Sequence, residues 1–228
     1  MFKKSNIVGA MLALALLPAS ANALTLKITD TSVGGGVVTI DDGGVGDADG
    51  TVNGTILAGM ISVGTASVQV STALQFESNG TSSLSMTVQQ AIAGLGKLFI
   101  DVSHQGFGEG AIAPASSSVK FSINAAGLSE GGTLVGSGHT DVANGLFGSS
   151  NIVGSSGVIS SISDTIVRGE STPLSDPFSM TILTDVLAGT TTSFDAQLVA
   201  AVPVPAAGFL LLGALGGLGA LRRRRKAA

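Results

Sequence analysis

The sequence contains no cysteine, no tryptophan and no tyrosine. Without cysteine there is no disulfide and no acylated-cysteine lipid anchor, so the fold must rest on its core. Without Trp and Tyr, the rings that most readily grip a sugar face are missing, and only Phe remains. Charge is scarce as well, at 11% of residues. Away from the two ends the only basic residues are Lys27, Lys97, Lys120 and Arg168, four against all 15 acidic residues, which leaves the middle at a net −11. An acidic body of this kind argues against nucleic-acid binding, because phosphate neutralisation needs clustered Lys and Arg.

What is present is glycine (33 residues) and a 44% hydrophobic content, in a chain of 228 residues. That length suits one domain or at most two small ones. The hydrophobic content and low net charge exclude a disordered chain. Glycine without a three-residue period excludes collagen. Short apolar segments separated by Gly-rich turns fit the composition.

The segments alternate. LTLKIT places Leu24, Leu26 and Ile28 on one face; SVQVSTALQF places Val68, Val70, Leu74 and Phe76 together. SLSMTV groups Leu84, Met86 and Val88; KLFIDV groups Leu98, Ile100 and Val102; SVKFSI groups Val119, Phe121 and Ile123. FSMTI and SFDAQL do the same with Phe178, Met180, Ile182 and with Phe194, Ala196, Leu198. Alternation means one buried and one wet face, which antiparallel sheets allow. The expectation is an all-β body over residues 24–200: an antiparallel β-sandwich of about ten strands, jelly-roll or Ig-like. Gln89–Gly96 reads as a short helical turn, and GLFGSSNIVGSSGVISS as a loop or a strand of poorly fixed register. No internal repeat recurs at a fixed period.

The two ends read as addresses. Residues 1–23 combine Lys3 and Lys4, an apolar stretch from Ile7 to Leu17, Pro18 and small residues at ASA and ANA. That pattern is a secretory signal peptide, with the mature chain expected to start at Asn22 or Leu24. It implies signal peptidase and the general secretion machinery as partners. Ala206 to Leu221 is an uninterrupted run of apolar and glycine residues, followed by Arg222, Arg223, Arg224, Arg225 and Lys226. As a helix the run spans about 24 Å, slightly short of a hydrocarbon core of about 30 Å. The basic cluster stops transfer and stays cytoplasmic, leaving the acidic body outside. LVAAVPVPA is a short connector, so the body sits close to the bilayer.

The tail, residues 201–228, resembles the PEP-CTERM class of bacterial sorting domains. Val202, Pro203, Val204, Pro205 and Ala206 are similar to its VPLPA-type motif, with Val204 where Leu is usual. Motif, apolar helix, arginine cluster and a signal peptide at the other end complete the resemblance. It implies processing by an exosortase, a membrane-embedded cysteine transpeptidase-like enzyme. It also implies a Gram-negative host that makes exopolysaccharide, often in a biofilm. The prolines keep the motif extended and unable to continue the helix, so its backbone stays accessible. The function expected is an exported surface or extracellular-matrix structural protein, anchored in the inner membrane and then released from it.

Within the body, Asp41, Asp42, Asp47 and Asp49 are interleaved with glycine in DDGGVGDADG. Two readings stand. Hard oxygen ligands on a flexible loop suit Ca²⁺, although the spacing fails the EF-hand pattern at Thr51 and Ala58. Alternatively Asp and Gly supply caps and positive φ to a turn between strands. The only histidines, His104 and His139, are expected at polar surface or turn positions. Asp101 and Ser103 adjoin the first and Asp141 lies two residues from the second, but no G-x-S-x-G elbow appears. Glu77, Glu109, Glu130 and Glu170 are isolated and form no recognisable acid pair. Asn53-Gly-Thr and Asn79-Gly-Thr read as turns rather than glycan acceptors. No catalytic residue is therefore assigned. The alternatives to a structural role are a calcium-dependent or polysaccharide-binding adhesive module and, last, an exported hydrolase.

Overall fold

The computed structural model describes residues 24–78, 81–107, 117–160, 164–172, 174 and 177–201. The expected signal peptide (1–23), the sorting motif Val202–Ala206, the apolar run 206–221 and the basic cluster Arg222–Lys226 lie outside the described residues. Among the described residues there are thirteen strands and no helix. They are β1 (Leu24–Asp30), β2 (Val37–Asp41), β3 (Thr55–Ile56), β4 (Met60–Val63), β5 (Ala66–Ser78), β6 (Thr81–Ile92) and β7 (Leu98–Phe107). The rest are β8 (Ser117–Ala126), β9 (Leu134–Asp141), β10 (Asn151–Ile159), β11 (Asp164–Thr172), β12 (Phe178–Val186) and β13 (Thr191–Ala201). The count exceeds the ten or so expected. β3 and β4 are too short to show alternation, and β9 hides its pattern behind glycines.

All pairings are antiparallel. One sheet, A, has the order β10-β9-β12-β7-β1-β2; the other, B, has β11-β8-β13-β6-β5-β3, with β4 also on β5. From β6 onward the pairs are nested: β9 with β10, β8 with β11, β7 with β12 and β6 with β13. The chain is thus a long antiparallel ribbon, doubled on itself and wrapped so that its successive rungs fall in alternate sheets. β1–β2 and β3–β5 widen the sheets beyond β7 and β6.

The inward residues of both sheets form one buried cluster. Leu24, Leu26 and Ile28, Leu98, Ile100 and Val102, and Val119, Phe121 and Ile123 are fully buried, as the alternation predicts. Phe178, Met180 and Ile182, Leu84, Met86 and Val88, and Phe194, Ala196 and Leu198 are buried with them.

Two expectations need correction. Gln89–Ile92 is no helical turn but the end of β6, paired with β13 through Ile92 and Thr191. On β5 the register shifts between Gln69 and Thr72, so the buried set runs Val68, Val70 and then Ala73. A β-bulge adds one residue and reverses the alternation beyond it, which pattern reading cannot see. The side chains of Leu74 and Phe76 lie outside the described set. The Gly/Ser stretch resolves into a loop and β10, whose pairing with β9 shifts register twice.

Candidate functional site

The Asp/Gly stretch joins β2 to β3 and is held by its own carboxylates. Asp41 Oδ1 accepts from Thr25 Oγ1 at 2.7 Å. Asp42, 8% exposed, accepts from the backbone N–H of Gly54 at 2.7 Å and of Asn53 at 3.2 Å. Asp47 accepts from Gly43 N at 2.9 Å and Leu57 N at 3.0 Å. Asp49 accepts from Thr51 N at 2.9 Å and from Asn53 Nδ2 at 2.8 Å, and these bonds hold its carboxyl below the usual range. Asn53 Oδ1 in turn accepts from Thr55 N at 2.8 Å. The geometry is that of a turn whose acids stand in for missing strand partners. Among the described residues no group of three or more His, Asp or Glu is placed to hold a metal ion.

The histidines are not at the surface or in turns: both lie inside strands, His104 at 3% and His139 at 9% exposure. Register explains why. His104 pairs with Leu24 and Met180, so it shares the inner face of sheet A, where its ring meets Phe107 edge-on at 4.7 Å. Burial pushes its imidazole down to about 4. His139 pairs with Thr181 on the outer face, and burial lowers it too. Its Nε2 lies 2.9 Å from Ser137 Oγ. The Nδ1 atoms of both rings and Thr140 Oγ1 are buried without a hydrogen-bond partner among the described residues.

Residues 142–150, between β9 and β10, form a strap across the outer face of sheet A. Ser103 Oγ, 2.9 Å from Thr181 Oγ1, accepts from Phe147 N at 2.9 Å. Ser179 Oγ donates to Gly145 O at 2.7 Å, and Gly106 N donates to Asn144 Oδ1 at 2.8 Å. Asp141, which the sequence places near His139, instead caps the strap, accepting from Ser150 Oγ at 2.7 Å and Ala143 N at 3.0 Å. Asn144 and Phe147 adopt positive φ (55° and 54°), which is rare for a bulky side chain such as Phe. Neither histidine has an acid partner, so no Ser-His-Asp arrangement forms among the described residues.

Beside the strap the outer face opens into a depression of about 160 Å³, lined by Phe99, Asp101, Val135, Ser137, Leu183 and Asp185. The register puts Lys27, Asp101, Leu183 and Ser137 in one row across four strands. Phe99, Asp185 and Val135 form the next row. Burial is the main reason that Asp101 is raised to about 6; the nearby Asp185 adds to it, while Thr184 N–H and Lys27 oppose it. Asp185 is paired with Lys97 at 2.9 Å, and the Lys27 ammonium lies 5.5 Å from the centre of the Phe147 ring. This site was not legible beforehand. Alternation in KLFIDV sends Phe99 and Asp101 outward, but only the β7–β12–β9 pairing brings Leu183 and Ser137 to them. Of the isolated glutamates, Glu130 is exposed, and the side chains of Glu77, Glu109 and Glu170 lie outside the described set.

No protein-family model matches the chain, and no curated protein matches it. Among solved structures, the infectious bursal disease virus VP2 subviral particle is similar at a TM-score of 0.33 and 12% identity, over 82% of this chain and 54% of that one. An Arthrobacter globiformis T6 isomalto-dextranase complexed with panose is similar at a TM-score of 0.27 and 13% identity, over 60% of this chain and 24% of that one. The chain thus spans little more than half of the first of these structures and about a quarter of the second.

Proposed function

We propose that this is an exported, non-enzymatic surface or matrix protein, held briefly in the inner membrane by its tail and processed there by an exosortase. The observation that carries this reading is the order of the tail: Val202–Ala206, an apolar run to Leu221, then Arg222–Lys226, in a chain whose first 23 residues read as a signal peptide. A membrane helix with a basic cytoplasmic end would present the proline motif at the outer face. The body is a jelly-roll sandwich, a reading supported by the nested pairing of β6–β9 with β13–β10 in two sheets around one core. Such a body, rich in Ser, Thr and Gly and with the acids of its β2–β3 loop engaged in hydrogen bonds, suits a structural component of an exopolysaccharide or biofilm matrix. Replacing Pro203 and Pro205 by Ala tests the reading in producing cells. A full-length, membrane-retained form is the expected result; variants that mature and leave the membrane like wild type contradict it.

A second reading, a polysaccharide-binding module, is favoured by the depression on sheet A. Calcium dependence is not part of it, because Asp41, Asp42, Asp47 and Asp49 already have donors of their own.

A further inference from the structure

We infer that the depression on the outer face of sheet A binds one sugar ring of a neutral, hydroxyl-rich polysaccharide. Size sets the first limit. At about 160 Å³ it is well below the roughly 300–1,000 Å³ typical of cofactor- and drug-sized ligands. It is also open, so a longer chain can pass across it while a single ring seats.

The lining sets the second limit. Phe99, Leu183 and Val135 supply an apolar floor for the C–H face of a sugar. The exposed surface is nearly all apolar; at its edge Ser137 is bonded to His139 and Asp101 to Thr184 N, while Asp185, paired with Lys97 through Oδ2, keeps Oδ1 to accept a hydrogen bond from a hydroxyl group. Among polymers, a sugar chain is what presents apolar faces and hydroxyl edges on the same unit.

Charge sets the third limit. Asp185 is neutralised by Lys97 at 2.9 Å, and Asp101 lies across the β1–β7 pair from Lys27. The lysines are thus already balanced, and the body as a whole is acidic, with four basic against 15 acidic residues between the two ends. A polyanion such as an acidic exopolysaccharide finds no free cationic patch in the depression and a repelling body around it. A neutral glycan meets neither obstacle.

The strap runs beside the depression without lining it. It is tied down by Ser103, Ser179, Gln105 and Asp141, so the Phe147 ring and the Lys27 ammonium beside it keep their place. A site held wholly on the paired strands β7, β12 and β9 loses little freedom on binding, which favours weak, repeated contacts along a polymer.

The inference rests on the matrix reading for its choice of polymer, yet the two fail separately: tail processing is read in cells, and glycan binding on purified protein. The test is affinity electrophoresis of the full-length chain in detergent micelles, through gels containing a mixed-linkage β-glucan, pullulan or alginate. Retardation by at least one neutral glycan and none by alginate is expected. Phe99→Ala and Asp185→Ala should each weaken it at least fivefold, with Asp195→Ala on sheet B unchanged. Circular dichroism and thermal midpoints confirm that the variants are folded. No retardation by either neutral glycan, retardation by alginate alone, or equal binding by wild type and both depression variants overturns the inference. A change in sedimentation instead of glycan binding does so too, since it assigns the face to a second copy of the chain.

Discussion

Gly138 on β9 stands where the Phe121 ring of the opposite sheet enters the core. A Cβ on Gly138 would lie 2.8 Å from Phe121 Cδ2 and 2.8 Å from Leu198 Cδ1. Gly136, two residues earlier, does the same for Ile123, with a Cβ at 2.6 Å from its Cδ1. Between the inward Leu134 and Thr140, the two glycines are the middle inward positions of β9, so the large residues of β8 and β13 fill the space that β9 leaves there. Gly138→Ala should therefore destabilise the body by about 1–3 kcal/mol, the usual cost of overpacking a filled core. Chemical denaturation read by far-UV circular dichroism checks this; wild-type stability in the variant would refute the packing.

The Asp42 carboxylate closes the loop between β2 and β3 by accepting two backbone N–H groups, of Gly54 and Asn53. Asp42→Ala leaves the buried Gly54 donor without its partner, at a cost of about 1–3 kcal/mol. Because the loop acids already have donors, millimolar calcium should leave the thermal midpoint of the wild type where it was. A calcium-dependent rise of several degrees would show that the carboxylates can leave these bonds for a metal.

Two buried groups pull the pH dependence in opposite directions. His104 is held down to about 4, so the unfolded chain takes up a proton first as pH falls below about 6.5. Its contribution is full above that value and is lost on the way down to about 4, by roughly 2–3 kcal/mol. Asp101 is raised to about 6, so the folded state keeps its proton longer. That favours the fold near pH 4 and is lost as pH rises towards 6, by about 1–2 kcal/mol once solvent screening is allowed for. The wild type should thus be nearly flat between pH 4 and 6. Asp101→Asn, which can still accept from Thr184 N, should be more stable than wild type at pH 7 and show the uncompensated His104 slope below pH 6. His104→Leu should show the opposite slope. Urea midpoints across pH 4–7 decide it, and parallel profiles for all three proteins would contradict it.

Ser103 holds the strap through Phe147 N. Ser103→Ala removes that acceptor and leaves Thr181 Oγ1 without its neighbour under the strap. Amide exchange at Phe147 should quicken by tenfold or more, the counterpart of about 1.4 kcal/mol, while exchange in β6 and β13 stays unchanged. Uniform exchange in both proteins would show that the strap is held by something else.

The inward faces of six strands, β1, β6, β7, β8, β12 and β13, were legible because each alternates and each sheet buries one side. What was hidden has specific causes. The bulge in β5 reverses a face, and Gly136 and Gly138 leave no apolar signal on β9. β12 is buried on both sides from Phe178 to Ile182, because the strap covers Ser179 and Thr181. The histidines looked like surface residues because their types are polar; only register showed one facing the core and the other buried on the outer face of sheet A. The depression at Asp101 joins residues from three strands that are distant in sequence, which no spacing announces.

The central claim concerns what becomes of the two ends. Intact-mass and terminal-peptide mass spectrometry of the mature protein from producing cells tests it most directly. The account predicts a first residue at Asn22 or Leu24 and a last residue at or near the Val202–Ala206 motif, without Arg222–Lys226. A mature protein that keeps both its first 23 residues and its basic end would contradict it.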